Sequence, residues 1–315
     1  MPAQALYLGV DGGGTKTRFA LVDGGGTLLA EAQLGTTYHP QVGLDGVRRT
    51  LEEGTATVLA QVQGDRADIA QAFFGLPAYG EDSRATAALQ AIPGQVLGHG
   101  RYACDNDMVC GWAGSLACAD GINIIAGTGS MGYGRRGAAA ARAGGWGEAF
   151  GDEGSAHWIA TQGLNAFSRM SDGRLPRGPL HAVLRAHFGL VDDLDICAHV
   201  YGEGVGTRGD IARLSVQVAQ AANDGDAVAI AIFQQAGEEL AQIAQALRVL
   251  LGFDQGQTVP LSYSGGAFSA GALLMQPFQA ALVKASADFE LRTPLHAPHY
   301  GAALYALQLA RQAQR

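Results

Sequence analysis

The sequence predicts an α/β protein built from two mixed units, each of which opens with a glycine-rich hairpin. The chain has 315 residues, a length that suggests two domains of about 150 residues each. Apolar residues make up 48% and charged residues 16% of the chain, so a disordered chain is excluded. Glycine is the compositional outlier, with 46 residues and no collagen period, and it concentrates in the turns of the two hairpins.

The first half reads as an antiparallel meander of three strands followed by alternating helices and strands. The apolar strand patterns are separated by the pentapeptide DGGGT, which occurs twice. Later segments are recognised by helical or strand periodicity. The predicted strands are Leu6–Val10, Lys16–Val22, Leu28–Ala32, Ile69–Gly75 and Gly100–Cys104, and the predicted helices are 44–62, 81–91 and one that begins near Asp107.

The second half repeats the hairpin and then becomes mostly helical. Strands are predicted at Gly121–Ala126 and Met131–Arg135, around a turn of sequence GTGS. Helical periodicity dominates from Asp152 to Gly252. A buried strand at Val259–Ser264, a helix, a short strand at Phe289–Arg292 and a last helix from about His299 complete the prediction.

Charge and cysteine content limit the classes of partner and compartment. The net charge of −8 disfavours nucleic acid as a partner, because the surface repels phosphate. The four cysteines show no CxxC pair, which favours a reducing, cytoplasmic location. The apolar stretch at the amino terminus is too short for a signal sequence, and no segment predicts a membrane span.

The first chemically informative motif is the turn Asp11-Gly-Gly-Gly-Thr15-Lys16. Backbone N–H groups in a glycine turn can surround an anion, and Gly13 lets the backbone approach a phosphate closely. Asp11 at the strand end is placed to hold Mg²⁺ through water. The alternative is a plain hairpin turn, which the copy at Asp23 exemplifies. Thr15 and Lys16 favour the first copy as the phosphate site, because they add a hydroxyl and a cation.

Two further glycine segments follow buried strands. Gly127, Thr128 and Gly129 repeat the logic of the first turn, and a pair of such turns can hold the phosphates of one nucleotide. Gly265 and Gly266 lack side chains where an adenine ring could lie on the backbone. A tight strand-to-helix turn explains this last pair equally well.

Two acidic positions have the chemistry of an acceptor site. Asp107 follows a strand and opens a helix, so it is either a helix N-cap or the general base for an attacking hydroxyl. The run from Gly144 to Ser155 joins glycines, aromatic residues and acids ahead of a helix. Such a set suits a polyhydroxylated ligand, with Asp152 accepting from hydroxyls or merely capping the helix.

The motifs GVDGGGTKT, ND, GTGS, GGWGEAFGDEGS and SGG, in this order, resemble the N-acetylglucosamine kinase branch of the BadF/BadG/BcrA/BcrD ATPase family, within the actin-like ATPase and sugar kinase superfamily. The resemblance implies two ribonuclease-H-like domains with an interdomain cleft, one spanning 1–118 and completed by about 298–315, the other spanning 119–297. It implies ATP and Mg²⁺ as cofactors and an amino sugar as substrate. It implies Asp107 as base, Gly145, Trp146 and Asp152 as sugar contacts, Thr15 and Thr128 in phosphate loops, and Ala212 and Gly266 near adenine.

One departure from the family pattern concerns sugar choice. Tyr38 stands where the resembling kinases have an asparagine, so an amide that would bind sugar hydroxyls is replaced by a phenol. N-acetylglucosamine and glucosamine therefore both remain open as substrates, with phosphorylation expected at the 6-hydroxyl. A non-catalytic amino-sugar or nucleotide sensor, an acyl-CoA dehydratase activator and a homodimeric assembly also remain open.

Overall fold

The computed structural model describes residues 5–202 and 206–314 and divides the chain into two compact units. The first unit spans Met1–Asp120 together with Thr293–Arg315, and the second spans Gly121–Arg292. From the sequence, domain boundaries are expected at residue 118 and at about residue 298, and that domain assignment stays a prediction.

The described residues form ten strands and eleven helices. The strands are β1 (Leu6–Gly12), β2 (Thr17–Val22), β3 (Leu28–Leu34), β4 (Ile69–Leu76), β5 (Tyr102–Asn106), β6 (Gly121–Ala126), β7 (Ser130–Arg136), β8 (Ala139–Gly144), β9 (Val259–Ser264) and β10 (Phe289–Leu291). The helices are α1 (His39–Gln61), α2 (Ser83–Leu97), α3 (Met108–Leu116), α4 (Ala156–Ser171), α5 (Pro179–Phe188), α6 (Ile196–Tyr201), α7 (Arg208–Arg213), α8 (Ser215–Asn223), α9 (Ala227–Leu250), α10 (Ala272–Ala285) and α11 (Pro298–Ala313).

The first unit contains a five-stranded sheet in the order β3-β2-β1-β4-β5. Strands β1 to β3 form the predicted antiparallel meander, which is confirmed, whereas β4 and β5 run parallel to β1. Helix α11 packs directly on β1 because Gly9 has no side chain: a Cβ there would overlap the backbone of Ala303. The carboxyl ends of β1, β4 and β5 therefore meet at one edge of the sheet, next to the start of α3.

The second unit repeats this topology with a sheet in the order β10-β9-β6-β7-β8. Strands β6 to β8 are an antiparallel meander, and β9 and β10 are parallel to β6. The sequence did not predict β8, because its residues AAARAG are mostly alanine and glycine, which favour strands weakly. Pairing with β7 at the sheet edge imposes the extended backbone instead.

The predicted helical region of the second unit is confirmed as α4 to α9. The longest helix, α9, buries Phe233, Leu240 and Leu247 in the core of this unit. It approaches α10 closely at Gly237. A Cβ there would overlap the backbone nitrogen of Phe278 and lie 2.8 Å from the carbonyl carbon of Pro277. None of the helices in the described residues is long and apolar enough to cross a bilayer.

Helix α1 begins earlier than the sequence pattern indicated. Its first turn starts at His39, and Gly43, with φ of 67°, breaks the helix before the predicted start near Leu44. Helix α2 likewise extends past its predicted end to Leu97 and contains Pro93. Burial of Val96 and Leu97 stabilises this last turn despite the proline.

Candidate functional site

The first glycine turn connects β1 to β2 and has an exposed tip. The N–H of Gly13 donates to the carbonyl of Lys16 at 2.9 Å, which closes the turn. Thr15 and Lys16 are exposed. The hydroxyl of Thr36 donates to the carbonyl oxygen of Gly13 at 2.7 Å and anchors the turn from the side. A hydroxyl and a cation are thus presented beside an anchored glycine backbone.

The second copy of DGGGT has a different structure. The carboxylate of Asp23 accepts hydrogen bonds from the N–H groups of Gly25 at 2.9 Å and Thr27 at 2.8 Å. The bond from Thr27, which is the largest influence, and that from Gly25 lower the pKa of Asp23. From α11, the Tyr300 hydroxyl donates to the carbonyl of Gly26 at 2.7 Å. Asp23 is therefore engaged by its own turn, and the turn is held by α11.

Asp11 and Asp107 both lie at the edge of the first sheet where β1 and β5 end. Asp11 is paired with Gly75 across β1 and β4, and α3 starts directly after Asp107. Burial, followed by the negative charge of Asp107, raises the pKa of Asp11 to about 8. The charge of Asp107 thus adds to the effect of burial on Asp11, and a bound cation would relieve the repulsion between the two carboxylates.

Asn106, rather than Asp107, caps helix α3. The N–H of Met108 donates to the side-chain oxygen of Asn106 at 3.2 Å, whose amide nitrogen donates to the carbonyl of Tyr79 at 3.1 Å. Among the described residues, no N–H of α3 donates a capping bond to the Asp107 carboxylate. The capping interpretation of Asp107 is therefore not what the structure shows, because the side-chain cap of α3 comes from Asn106.

The predicted sugar residue Tyr38 precedes α1 and is 36% exposed. Its N–H donates to the Thr36 hydroxyl at 2.9 Å, the same hydroxyl that holds the carbonyl of Gly13. The buried hydroxyls of Thr37 and Thr17 are 3.1 Å apart, which ties this segment to the start of β2. The segment before α1 and the first glycine turn are therefore one hydrogen-bonded assembly.

In the second unit, the turn of Gly127 to Gly129 lies against the first turn of α4. The N–H of Ala156 donates to the carbonyl of Gly127 at 2.9 Å, and the N–H of His157 donates to that of Thr128 at 3.3 Å. Gly265 adopts φ of 103°, and a Cβ there would overlap the carbonyl oxygen of Ala126. The second and third predicted glycine segments are thus in direct contact, and Gly266 beside them has open space around it.

Asp152 lies behind this turn, almost fully buried. It is only 3% exposed and has φ of 57°, which is uncommon outside glycine. Its carboxylate accepts a hydrogen bond from the N–H of Ser130 at 3.3 Å and another from the guanidinium of Arg208. Helix α4 is capped by Ser155, whose hydroxyl accepts from the N–H of Trp158 at 3.1 Å. Asp152 therefore does not serve as the helix cap.

Arg208 is a residue of this cluster that the sequence reasoning missed. Its Nε lies 3.2 Å from the carboxylate of Glu148, in addition to the bond that Nη2 donates to Asp152. It occurs 56 residues after Asp152 in a segment without a motif, so no local pattern could have identified it. The tertiary fold alone brings α7 to the turn.

The remaining predicted residues are found in different surroundings. Gly145, with φ of 71°, and Trp146, 70% exposed, lie in the segment after β8. Ala212 is buried on α7, so its side chain is not at the surface of the unit. His157 is half-buried, and burial lowers its pKa although the charge of Glu148 opposes the shift.

Two curated relatives match most of this chain. A curated relative, the N-acetyl-D-glucosamine kinase of Dictyostelium discoideum, is 27% identical and covers 97% of this chain and 98% of its own length. The N-acetylmuramic acid/N-acetylglucosamine kinase of Clostridium acetobutylicum is 29% identical over 82% of this chain and 84% of its own length.

Two solved structures of sugar kinases are similar to this chain over nearly its whole length. The crystal structure of a candidate N-acetylglucosamine kinase from Chromobacterium violaceum has a TM-score of 0.78 and 27% identity, and covers 98% of this chain and all of its own, 100%. A ROK family glucokinase from Streptomyces griseus shares the fold alone, with a TM-score of 0.57, 19% identity and 98% and 99% coverage of the two chains. The model of the BadF/BadG/BcrA/BcrD ATPase family matches residues 8–306, and the chain belongs to that family.

Proposed function

We propose that this protein is an ATP-dependent amino-sugar kinase that phosphorylates the 6-hydroxyl of N-acetylglucosamine. The observation that carries the proposal is Asp107, a carboxylate at the end of β5 that does not cap its helix and is electrostatically coupled to Asp11. A binding protein has no need of such a base. A relative that covers 97% of this chain is named N-acetyl-D-glucosamine kinase, and one that covers 82% is named N-acetylmuramic acid/N-acetylglucosamine kinase.

The surroundings of Asp11 fit a magnesium ion. Its raised pKa reflects burial and the negative charge of Asp107, and a divalent cation would remove the cost of that repulsion. Carboxylate oxygens and water are the ligands that Mg²⁺ prefers. When bound, Mg²⁺ neutralises phosphate charge. Asp11 would hold the ion through water, while Lys16 and Thr15 of the exposed turn are donors for phosphate oxygens.

In the reaction, Asp107 accepts the proton of the sugar's 6-hydroxyl. The hydroxyl oxygen then forms a bond to the γ-phosphorus as the bond between that phosphorus and the bridging oxygen of ADP breaks. Asp152 would orient the sugar by accepting from its hydroxyls, with Gly145 and Trp146 as further sugar contacts. We place phosphate oxygens at Gly13 and at the turn of Gly127, Thr128 and Gly129, and adenine near Ala212, Gly265 and Gly266. The assignment of the two units as domains stays a prediction.

Glucosamine is the alternative substrate because of Tyr38. An asparagine at this position would offer an amide to the sugar, whereas the phenol of Tyr38 is bulkier and offers one hydroxyl. Exchange Tyr38→Asn should shift kcat/KM toward N-acetylglucosamine relative to glucosamine. An unchanged ratio would show that Tyr38 does not select the sugar.

An acyl-CoA dehydratase activator is less consistent with the cysteines. Iron–sulfur clusters need accessible thiolates, yet burial raises the pKa of both Cys104 and Cys110. The four described cysteines also lie at separate places in the fold: Cys104 on β5, Cys110 on α3, Cys118 just after α3 and Cys197 on α6.

The decisive experiment measures ADP release with Mg·ATP and a panel of N-acetylglucosamine, glucosamine, N-acetylmuramic acid and glucose. We expect release to depend on N-acetylglucosamine, and phosphorus NMR to place the new phosphate on the 6-hydroxyl. The Asp107→Asn variant is the inactive control. If no sugar raises ADP release above the ATP-only rate, the kinase proposal fails and the sensor hypothesis is favoured.

A further inference from the structure

The guanidinium of Arg208 is held by two carboxylates of the second unit. Nη2 donates to the buried carboxylate of Asp152, and Nε lies 3.2 Å from that of Glu148. Arg208 is the first residue of α7, and its side chain is 40% exposed. Two carboxylates thus fix the orientation of the guanidinium, although the side chain is partly exposed to solvent.

The same guanidinium lies directly against the glycine turn of the second unit. A Cβ at Gly129 would overlap Nη2 of Arg208 and lie 2.8 Å from the Asp152 carboxylate. Glycine at position 129 is therefore what allows the arginine to reach the turn. A ligand phosphate bound by the backbone of this turn would be adjacent to Arg208.

Arg208 also has unused hydrogen-bonding capacity. A guanidinium carries five N–H donors in a planar fork. Its partners within 5–202 and 206–314 engage Nε and Nη2, and Nη1 donates to none of these residues. An arginine that served only to neutralise Asp152 would need neither the second carboxylate, Glu148, nor a guanidinium nitrogen that remains available as a donor.

The charges around the turn require a cation if a phosphate is to bind there. Asp152 and Glu148 are carboxylates, and burial lowers the pKa of His157, which disfavours the charged form of this imidazole. A phosphate at the turn would be repelled by both acids unless Arg208 lay between the charges. Guanidinium groups bind phosphate oxygens in a directed, charge-assisted geometry.

We propose that Arg208 binds the terminal phosphate of the nucleotide at the turn of Gly127 to Gly129 and stabilises the charge on the transferred phosphoryl group. Nη1 supplies the contact, while Asp152 and Glu148 hold the guanidinium in place. The inference rests on the proposed kinase function and adds a residue to it. An arginine in this position acts on the transition state as well as on bound ATP.

The first test is nucleotide binding without sugar, which does not depend on kinase activity. Isothermal titration with Mg²⁺ and either the β,γ-imido analogue of ATP or ADP is carried out on wild type, Arg208→Met and Arg208→Lys. Removing a charge-assisted bond to the terminal phosphate should weaken analogue binding about tenfold or more and change ADP binding less than about twofold. Arg213→Met is the matched control, since Arg213 is on the same helix, is 76% exposed and pairs with Asp210.

The proposal would be overturned if Arg208→Met lost equal affinity for the ATP analogue and for ADP, or if it lost no affinity for either. If Arg208→Met does not fold because Asp152 is left buried without its partner, Arg208→Lys provides the same comparison. The lysine keeps the charge but loses the planar fork, so it should recover only part of the analogue affinity.

The second test is the division of the kinetic effect between kcat and KM. With the sugar that supports wild-type turnover, Arg208→Met should lower kcat about 10²-fold while the sugar KM stays within about threefold. A raised sugar KM with unchanged kcat would show that Arg208 merely supports Asp152. If wild type phosphorylates no sugar, the kinase proposal fails, and the binding comparison still decides the role of Arg208.

Discussion

Cys110 occupies the space beside Gly75 that any other side chain at position 75 would need. A Cβ at Gly75 would overlap the Sγ atom of Cys110 and lie 3.1 Å from the Cα atom of Asp107. The thiol itself lies 3.5 Å from the carbonyl oxygen of Val10 and donates toward it. The position of the proposed base is therefore set by close packing of α3 against β1 and β4.

Exchange Gly75→Ala should displace the start of α3 and with it Asp107. We expect kcat to fall about tenfold or more, because a shift of about 1 Å in a reacting group can cost about 10²-fold. Overpacking should also lower the free energy of unfolding by about 1–3 kcal/mol. Steady-state kinetics and urea unfolding measure the two effects. Gly100→Ala is the control, since a Cβ at Gly100 meets open space, and a full-rate, stable Gly75→Ala would contradict the packing argument.

Exchange of the two aspartates near α3 should identify the base. Asp107→Asn should lower kcat about 10²-fold or more with little change in sugar affinity, since the amide cannot accept the proton. Asp105 is the matched variant, because its carboxylate accepts from the N–H of Asn106 at 2.7 Å. Turnover that survives Asp107→Asn but not Asp105→Asn would assign the other carboxylate.

The two DGGGT turns should respond differently to the same substitution. Gly13→Val places a branched side chain in the exposed first turn and should weaken ATP binding. Gly25→Val alters a turn that Asp23 and α11 hold, so it should affect the free energy of unfolding alone. ATP titration of both folded variants makes the comparison. Similar losses of ATP affinity in the two would contradict the functional distinction between the turns.

Asp152 should affect the sugar more than the nucleotide. Asn is the appropriate replacement, because it tolerates the positive φ of 57° at this position better than Ala. Loss of an acceptor in a buried site should raise the sugar KM about tenfold, and raise it more than the ATP KM. Initial rates measured over a range of sugar and ATP concentrations give the two KM values. An unchanged sugar KM would remove Asp152 from the sugar site.

A half-buried ion-pair cluster around Asp193 in the second unit should make the free energy of unfolding depend on pH at the acid end. Burial pushes the pKa of Asp193 upward, but hydrogen bonds from His181, Ser171 and Arg185 outweigh it and lower the pKa to about 2. Because this value is below the ordinary 3.8, the stabilisation is complete above about pH 4 and disappears as the pH falls toward 2.

Asp193→Asn should accordingly lower the free energy of unfolding at pH 7 by about 1–3 kcal/mol, since it leaves partly buried donors unpaired. The difference from wild type should shrink below pH 4. Denaturant unfolding at pH 7 and pH 3 tests this, with Asp172→Asn as an exposed control that pairs with Arg174. A difference that is the same at both pH values would refute the assignment.

The hairpins and the strand that precedes each glycine turn could be predicted from the sequence alone, as could the choice of Asp107 and Asp152 as candidate site residues. These features depend on local physics: apolar runs form buried strands, and glycine runs form turns. The family, confirmed by the match over residues 8–306, was likewise identifiable from the motifs alone. Strand β8 was not predicted because alanine and glycine favour strands only weakly. Its pairing with β7 is what makes the backbone extended.

Tertiary contacts distinguish residues that look equivalent in the sequence. Identical DGGGT pentapeptides differ because α11 donates to the second one through Tyr300 and Arg311, contacts separated by more than 270 positions in the chain. Asn106 takes the capping role that sequence reasoning offered to Asp107. Arg208 reaches Asp152 only through the placement of α7. Long-range packing determines these partners, and no local pattern encodes it.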